Sequence, residues 1–260
     1  MVRSDPARPR GLLRATPNGE LRHVRHAPSP ELAFWIEHYW LVEWNLREPF
    51  VAQTLPHPSV HLVIDEVRPR ITGVMTGRFS STLDGVGRVF GVKFRPGAFR
   101  PILGRSMSTI TDRELDPHEY FGELMLAILA VPDDRARVAV ADSMLRDRML
   151  APDPRVDEVN RIMDFVLSDV ELTRVEQLAE RSGFTARSLQ RLFREYVGVS
   201  PKWVIHRYRL HEVLERIDAG GDVDWSAVAH DLGYFDQAHF IRDFRKLVGM
   251  TPAQYLKSFT

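Results

Sequence analysis

The chain has 260 residues, of which 44% are hydrophobic and 27% charged. This length allows one large domain or two ordinary ones, and the composition is globular rather than disordered or fibrous. The 35 basic and 35 acidic side chains give a formal net charge of zero, which taken alone argues mildly against binding to nucleic acid or to an anionic membrane. The chain has no cysteine, which excludes disulfides, thiolate metal sites, iron–sulfur clusters and cysteine nucleophiles.

Residues 1–27 are polar, with Arg and Pro throughout, and predict a mobile arm. They lack the apolar segment of a signal peptide. The longest uninterrupted apolar run, Leu124 to Val131, is far too short to span a bilayer. We therefore expect a cytoplasmic protein that does not contact a membrane.

Residues 28–150 predict an N-terminal domain that senses a signal or forms a dimer. A short amphipathic helix is expected near its start, because apolar side chains recur there at helical spacing: Leu32, Trp35, Ile36, Tyr39 and Trp40. Residues 41–115 are β-rich, with short apolar segments at 60–64, 71–75 and 89–94 between turn residues, which indicates a small antiparallel sheet or barrel. Residues 117–150 are helical, with expected helices from Glu119 to Val131 and from Asp133 to Met149.

The segment from Ala151 to Pro154 has the composition of a linker, and helical patterns broken by Gly and Pro follow it. The predicted fold class is therefore α+β. A small antiparallel β domain with helices precedes an all-α domain that covers residues 155–260.

The all-α part contains one sequence pattern twice. The first copy has Ala179, Gly183, Phe184, Leu189, Arg191, Phe193, Gly198 and Pro201, and the second has Ala229, Gly233, Tyr234, Phe240, Arg242, Phe244, Gly249 and Pro252. Each copy is typical of a helix-turn-helix, in which a small residue allows close packing and a glycine forms the turn before a capped second helix. Thr185 and Asp236 are the expected caps. The units are predicted at 174–198 and 225–249, with a linker helix at 201–217.

The second helix of each unit has a buried apolar stripe and leaves Arg and Gln side chains on its other faces. Arg can form paired hydrogen bonds with guanine and Gln with adenine in the major groove. A linker helix of about 26 Å can hold two such helices about one DNA turn, roughly 34 Å, apart. Basic residues concentrate in 185–209 and 237–257 and acidic residues in 211–236, so the neutral sum conceals a dipolar domain.

This layout resembles the DNA-binding domain of AraC/XylS-type transcription regulators over about residues 155–258. The second unit is a near-complete match, from Gly233-Tyr234-Phe235-Asp236-Gln237 through Arg242-Asp243-Phe244 to Gly249-Met250-Thr251-Pro252. The resemblance implies base contacts from Arg187, Gln190, Arg191, Gln237, His239 and Arg242, and phosphate contacts from Arg194, Lys202, Arg207, Arg245 and Lys246. It also implies a structural role for Arg209 and RNA polymerase as a partner. Ala238 departs from the pattern, since the family often has a polar residue there.

The N-terminal part resembles, more weakly, a sensor domain found fused to such regulators, through Pro30-Glu31-Leu32 and the segment from Phe90 to Ala98. A candidate ligand pocket for a small-molecule effector combines aromatic side chains with two polar ones: Trp35, Tyr39, Trp40, Trp44, His61 and Arg95. The alternative is that these aromatic residues are simply core. The spacing Gly85-x-Gly87-x-x-x-Gly91 is wrong for a phosphate cradle, and five glycines are expected in turns: Gly73, Gly77, Gly85, Gly87 and Gly91.

No motif for catalysis or for a cofactor occurs, since the chain has no HExxH, Walker loop or GxSxG elbow. The pairs His23/His26 and His57/His61 lack a third ligand, so we expect no metal site. The helix from Glu119 carries an apolar stripe that either forms a homodimer surface or packs on its own domain: Tyr120, Phe121, Leu124, Met125, Ile128 and Leu129.

The leading interpretation is a non-enzymatic, sequence-specific transcription regulator that binds double-stranded promoter DNA. In this interpretation a ligand or partner signal at the N-terminal domain controls the DNA binding. One alternative is a constitutive or architectural regulator whose sheet only dimerises. A DNA-repair enzyme with a similar DNA-binding half would need a reactive cysteine, which the chain lacks.

Overall fold

The computed structural model of the chain describes residue 13 and residues 17–149, 151–218 and 224–257. It has the predicted α+β class, with an antiparallel sheet and helices followed by an all-helical part. The strands are β1 (Gly19–His26), β2 (Ile36–Leu46), β3 (Phe50–Thr54), β4 (His61–Ile64), β5 (Arg70–Thr72), β6 (Phe79–Leu83), β7 (Val86–Phe94) and β8 (Glu114–Leu115). Much of the mobile arm predicted at 1–27 lies outside the described residues.

The strands form a six-stranded sheet in the order β1-β2-β7-β4-β5-β8 and a two-stranded sheet of β3 and β6. All the described pairs are antiparallel. Gly87 and Gly91 lie within β7 and not in turns, so that expectation was wrong. They face Trp44 and Trp40 of β2, whose indole rings occupy the space that a Cβ would take.

The helix expected around Leu32 to Trp40 was also wrong, because the segment forms a 3₁₀ turn at Pro30–Leu32 and then enters β2. The register of β2 against β7 shifts between Ile36 and His38, which indicates a bulge. This extra residue places Ile36 and Tyr39 on the same buried face although they are three positions apart. The bulge therefore gave the apolar residues of a strand the spacing that is typical of a helix.

The prediction of a mobile arm at 1–27 was wrong for residues 19–26, because they form edge strand β1. Its residues pair one by one with β2, from Gly19 opposite Leu46 to His26 opposite Tyr39. Main-chain pairing does not depend on apolar side chains, so this polar strand joins the sheet without the alternation that marks an inner strand.

The helices are α1 (Arg100–Leu103), α2 (His118–Leu129), α3 (Asp134–Arg148), α4 (Pro154–Ser168), α5 (Val175–Ser182), α6 (Ala186–Tyr196), α7 (Pro201–Asp218), α8 (Trp225–Asp231), α9 (Gln237–Val248) and α10 (Pro252–Lys257). Both helices expected after Pro117 are confirmed as α2 and α3. Most of the apolar stripe of α2 packs into the core of its own domain, including Phe121, Leu124 and Ile128. Among the described helices, none is long and apolar enough to cross a membrane.

The described residues form three apolar cores. The first joins the sheet to α2 and α3 and begins the contact with α4 through Val156. The second surrounds α5, α6 and the first half of α7, and the third surrounds the second half of α7 with α8, α9 and α10. Val74 and Leu55 come from the N-terminal domain but are buried in the second and third cores, so the two parts of the chain share apolar contacts.

Candidate nucleic-acid interface

The two repeats fold as two helix-turn-helix units with matching backbone geometry. In the first unit α5 leads through Gly183 to α6, and in the second α8 leads through Gly233 to α9. These turn glycines have φ values of +73° and +72°, in the left-handed region that favours glycine. Their near-identical values show that the sequence repeat is also a structural repeat.

The predicted caps start both second helices. The Thr185 hydroxyl accepts a hydrogen bond from the Ser188 amide at 3.2 Å, and the Asp236 carboxylate accepts one from the His239 amide at 2.7 Å. Each cap satisfies an amide group that would otherwise lack a helical partner. The caps therefore set where α6 and α9 begin and which side chains occupy their first turns.

Burial separates the two faces of these helices. The apolar stripe is inside, as Leu189 and Phe193 are fully buried on α6 and Phe240 on α9. The side chains predicted to contact bases are all exposed: Arg187, Gln190, Arg191, Gln237, His239 and Arg242. The structure thus presents both sets to solvent, on the two structurally equivalent helices.

Local contacts orient two of the side chains on α9. The Ser226 hydroxyl donates to the Gln237 side-chain oxygen at 3.2 Å, so α8 positions the first residue of α9. The His239 ring meets the edge of the Tyr234 ring at a centroid distance of 5.1 Å, and its Nε2 lies 3.8 Å from the Asp243 carboxylate. Gln237 and His239 are held by their own unit before any DNA is bound.

Phe235 is a feature of this surface that the sequence analysis did not single out. It lies directly before the cap of α9, and 94% of its surface is exposed. Single exposed apolar side chains are normal on protein surfaces, so the feature that makes Phe235 a candidate contact is its position beside the start of α9. Its position between Tyr234 and the cap was visible in the sequence. Its exposure was not, because either of these two adjacent aromatic residues could have been the one that packs against the core, and the structure shows that it is Tyr234.

The predicted phosphate contacts do not all lie on the surface. Arg194, Lys202, Arg245 and Lys246 are exposed. Arg207 is only 2% exposed, donates a hydrogen bond of 2.5 Å to the Thr76 carbonyl of the N-terminal domain, and lies 4.5 Å from the ring centre of Trp203. Burial lowers the pKa of Arg207 to about 10. In this arrangement Arg207 joins the two domains and is not available to a phosphate.

Arg209, to which the resemblance gives a structural role, is 1% exposed. Its guanidinium donates to the Glu212 carboxylate at 3.0 Å and to the Val166 carbonyl of α4. This arginine ties the linker helix to the first helix of the all-α part and does not reach the exposed surface.

The N-terminal domain contacts the C-terminal ends of both α6 and α9. The Thr111 hydroxyl donates to the Gly198 carbonyl after α6 at 2.7 Å, and the Arg78 guanidinium donates to the Val248 carbonyl at the end of α9 at 2.9 Å. A Cβ at Gly198 would lie 2.9 Å from the Met107 carbonyl oxygen, and one at Gly249 would overlap Arg78.

The linker helix α7 is a third point of contact between the domains. Leu55 of the N-terminal domain is fully buried in the core that includes Leu210, Val213 and Leu214 of α7. The imidazole of His57 stacks on that of His211 with 4.1 Å between ring centres. The N-terminal domain therefore touches both helix-turn-helix units and the helix that joins them.

Most residues of the candidate ligand pocket fill space inside the N-terminal domain instead of lining an opening. Trp35 and Tyr39 are buried, and the Tyr39 hydroxyl donates to Asp142 at 3.0 Å. The Trp40 indole donates to His61 Nδ1 at 3.1 Å, and burial, with Lys93 nearby, lowers the pKa of His61 to about 3. Trp44 covers Gly87 and donates to the Asp84 carbonyl. Arg95 differs from the others, because it lines a cleft between the domains.

Comparisons with known proteins match the two parts of the chain separately. Residues 178–258 match a family model described as a helix-turn-helix domain, and residues 24–116 match one described as a domain of unknown function (DUF6597). The chain is similar to the putative HTH-type transcriptional regulator YkgA of Escherichia coli, with 34% identity over 83 residues that cover 31% of this chain and 34% of that protein.

It is also similar to the HTH-type transcriptional activator RhaS of Pectobacterium carotovorum, with 32% identity over 75 residues that cover 29% of this chain and 26% of that protein. The chain thus spans about a third or less of the length of these curated relatives. Among solved structures, ToxT from Vibrio cholerae O395 aligns with a TM-score of 0.41 at 14% identity and covers 96% of this chain and 97% of that one.

Proposed function

We propose that this chain, in which residues 178–258 are a helix-turn-helix domain of the AraC type, is a sequence-specific DNA-binding transcription regulator. Its N-terminal domain transmits a ligand or partner signal to the DNA-binding domain. The observation that carries the proposal is the pair of capped, equivalent helices α6 and α9, each of which exposes the side chains that read bases.

The chemistry of these side chains supports direct readout in the major groove. Arg187 and Arg191 on α6 and Arg242 on α9 can each donate two hydrogen bonds to guanine, and Gln190 and Gln237 can bond adenine. All five are exposed and lie on the recognition helices. Because the recognition helices are joined by α7, which has 18 residues and a length of about 27 Å, the two units suit sites about one turn of DNA apart.

The contacts between the domains support coupling. The N-terminal domain holds the end of α6 through Thr111 and the end of α9 through Arg78. A change in its position would alter the separation of the two recognition helices, and a pair of half-sites tolerates little change in spacing. In the alternative, a constitutive regulator, DNA affinity would not respond to any change at these contacts.

The test uses the full chain and a DNA site that it protects from cleavage. Arg191→Ala and Arg242→Ala should each weaken specific binding by about 1–3 kcal/mol and leave nonspecific binding nearly unchanged. Arg68→Ala is the matched control, because this arginine is exposed but lies on the N-terminal domain. If both variants protect the same site with the affinity of the wild type, these arginines do not read bases.

A further inference from the structure

A short segment of the N-terminal domain, residues 105–109, lies against the C-terminal end of the recognition helix α6. Within it, the Ser106 hydroxyl donates a hydrogen bond to the Arg194 carbonyl at 3.2 Å. Just before it, the Nε of Arg100 on α1 donates to the Glu195 carboxylate at 2.7 Å. Both contacts hold this segment at the last turn of α6, so its position relative to that helix is fixed by the docking of the two domains.

The contact at Arg194 places the segment on the face of α6 that meets DNA in the proposed function. Arg187, Arg191 and Arg194 follow one another at positions i, i+4 and i+7 of the helix, a spacing that puts side chains on one face. Arg194 is the last of the three along the chain. The segment 105–109 therefore extends this row of exposed side chains beyond the end of α6.

The residues of the segment are of the types that bind phosphate. Arg105 is exposed, is the only charged residue in 104–111, and forms no ion pair with any described residue. Three hydroxyl side chains follow it, none of them buried: Ser106, Ser108 and Thr109. Arginine, serine and threonine side chains supply many of the contacts that proteins make with DNA phosphates.

The charges at this end of α6 do not balance. Arg100 and Glu195 form an ion pair and neutralise each other. The exposed side chain of Arg194, like that of Arg105, has no carboxylate partner within the described part of the chain. Two cations, one from each domain, therefore remain available to an anion at this end of the helix.

The length of α6 brings this end close to the DNA backbone. The helix has 11 residues and is about 16 Å long, whereas the major groove is about 12 Å wide. A helix that contacts bases through Arg187 and Arg191 therefore extends beyond the base edges. Its last turn, with the attached segment 105–109, then lies near the phosphates at one side of the groove.

We propose that Arg105 of the N-terminal domain binds a phosphate group of the DNA beside the bases that α6 contacts. The N-terminal domain is then part of the DNA interface and supplies a sequence-independent contact that the helix-turn-helix units lack. This contact rests on the proposed function, because it requires α6 to lie in the major groove. Arg105 reaches the phosphate only while its segment is docked on α6, so DNA binding favours the docked arrangement of the domains.

The salt dependence of DNA binding tests this contact on the full chain, with a duplex that the chain protects. Arg105→Gln should reduce the slope of log affinity against log salt by about 0.9, the value for one phosphate contact. The affinity ratio of wild type to variant should therefore shrink about threefold between about 50 and 200 mM salt. The loss should be the same factor on an unrelated duplex, because a phosphate carries no sequence information. Arg105→Lys should keep most of the slope, since lysine also binds phosphate as a point charge.

Arg135→Gln is the matched control, because it removes the same charge from the same domain. Arg135 is exposed on α3 and has no ion-pair partner among the described residues. The preceding residue, Asp134, pairs with Arg22 of β1, whereas the segment that carries Arg105 leads into β8 at the opposite edge of the sheet. Both arginines are exposed, so both variants should unfold at nearly the temperature of the wild type. An equal salt slope in the two variants overturns the proposal.

Neutral methylphosphonate linkages in the DNA locate the phosphate. They replace one phosphate at a time in and beside the α6 half-site, which is the motif whose base preference Arg191→Ala relaxes. At one position, the neutral linkage should weaken binding of the wild type but weaken that of Arg105→Gln much less, because both changes remove the same contact. Additive losses at every position overturn the assignment of Arg105.

The outcomes separate this contact from the proposed function. If the wild-type chain binds DNA and Arg105→Gln behaves like Arg135→Gln in both experiments, the contact is refuted and the proposed function stands. If the wild-type chain protects no DNA sequence, the proposed function is refuted and the contact with it.

Discussion

Leu55 provides a direct test of how firmly the two domains are joined. Its side chain is fully buried, and it lies in the core formed with Leu210, Val213 and Leu214 of α7. Leu55→Ala removes three carbon atoms from this core. Burial of a leucine contributes about 1.5–3 kcal/mol, and the cavity left behind adds to the loss, so the free energy of unfolding should fall by about 2–5 kcal/mol.

The control is Val51→Ala, because Val51 lies four residues earlier in the same segment but is 48% exposed. This substitution should lower the free energy of unfolding by less than about 1 kcal/mol. Denaturant unfolding followed by circular dichroism measures both values.

Hydrogen exchange adds a local measurement on the linker helix, residues 201–217. Leu55→Ala should accelerate exchange there, because the helix loses part of its apolar cover. If Leu55→Ala and Val51→Ala destabilise the protein equally, or if exchange in the linker helix is unchanged, Leu55 does not join the domains and the argument fails.

Three further predictions concern the surface and the pH dependence. Lys202→Met should reduce the salt dependence of DNA binding by about one unit of slope. Arg207→Met should leave this slope unchanged, because the guanidinium of Arg207 is buried. DNA-binding titrations at several salt concentrations measure the slope for both variants. Phe235→Ser should weaken binding to the preferred DNA by about 1 kcal/mol through a lost apolar contact, and Val67→Ser, equally exposed on the other domain, should not; a loss in neither variant, or in both, contradicts a DNA contact by Phe235. Burial lowers the pKa of His61 to about 3 in the folded protein. As the pH falls below about 6.5, the His61 imidazole is therefore protonated in the unfolded chain but stays neutral in the folded one. Stability should therefore fall with pH by at most about 1.4 kcal/mol per unit, and His61→Asn should flatten melting temperature against pH between 6.5 and 5, with an unaltered slope contradicting the assignment.

The helix-turn-helix repeat could be predicted because its determinants are local. The turn glycines, the caps at Thr185 and Asp236 and the apolar stripes are set by neighbours within one unit, and the structure contains both caps. The α+β class could be predicted because the sequence pattern changes from short β-like segments to helical spacing after the β-rich segment. The start of the N-terminal domain was misjudged because a β-bulge near Ile36 gave a strand the spacing of a helix.

Contacts between distant segments explain the remaining differences. Nothing near Arg207 in the sequence indicates that the Thr76 carbonyl will accept its hydrogen bond, since the two residues come from different domains. The packing of Trp40 on Gly91 and of Trp44 on Gly87 also depends on residues that are distant in the sequence, because it requires the pairing of β2 with β7. The cleft lined by Arg95 could not be predicted for the same reason, because its walls come from both domains.

Selection of bound sequences from a random DNA pool tests the central claim most directly. The account predicts that the wild-type chain enriches two short motifs with centres about one helical turn apart, roughly 10 base pairs. Arg191→Ala should relax the choice of base in one motif and Arg242→Ala in the other. Selection that enriches no sequence, or that yields unchanged motifs with both variants, would contradict the claim that α6 and α9 read DNA.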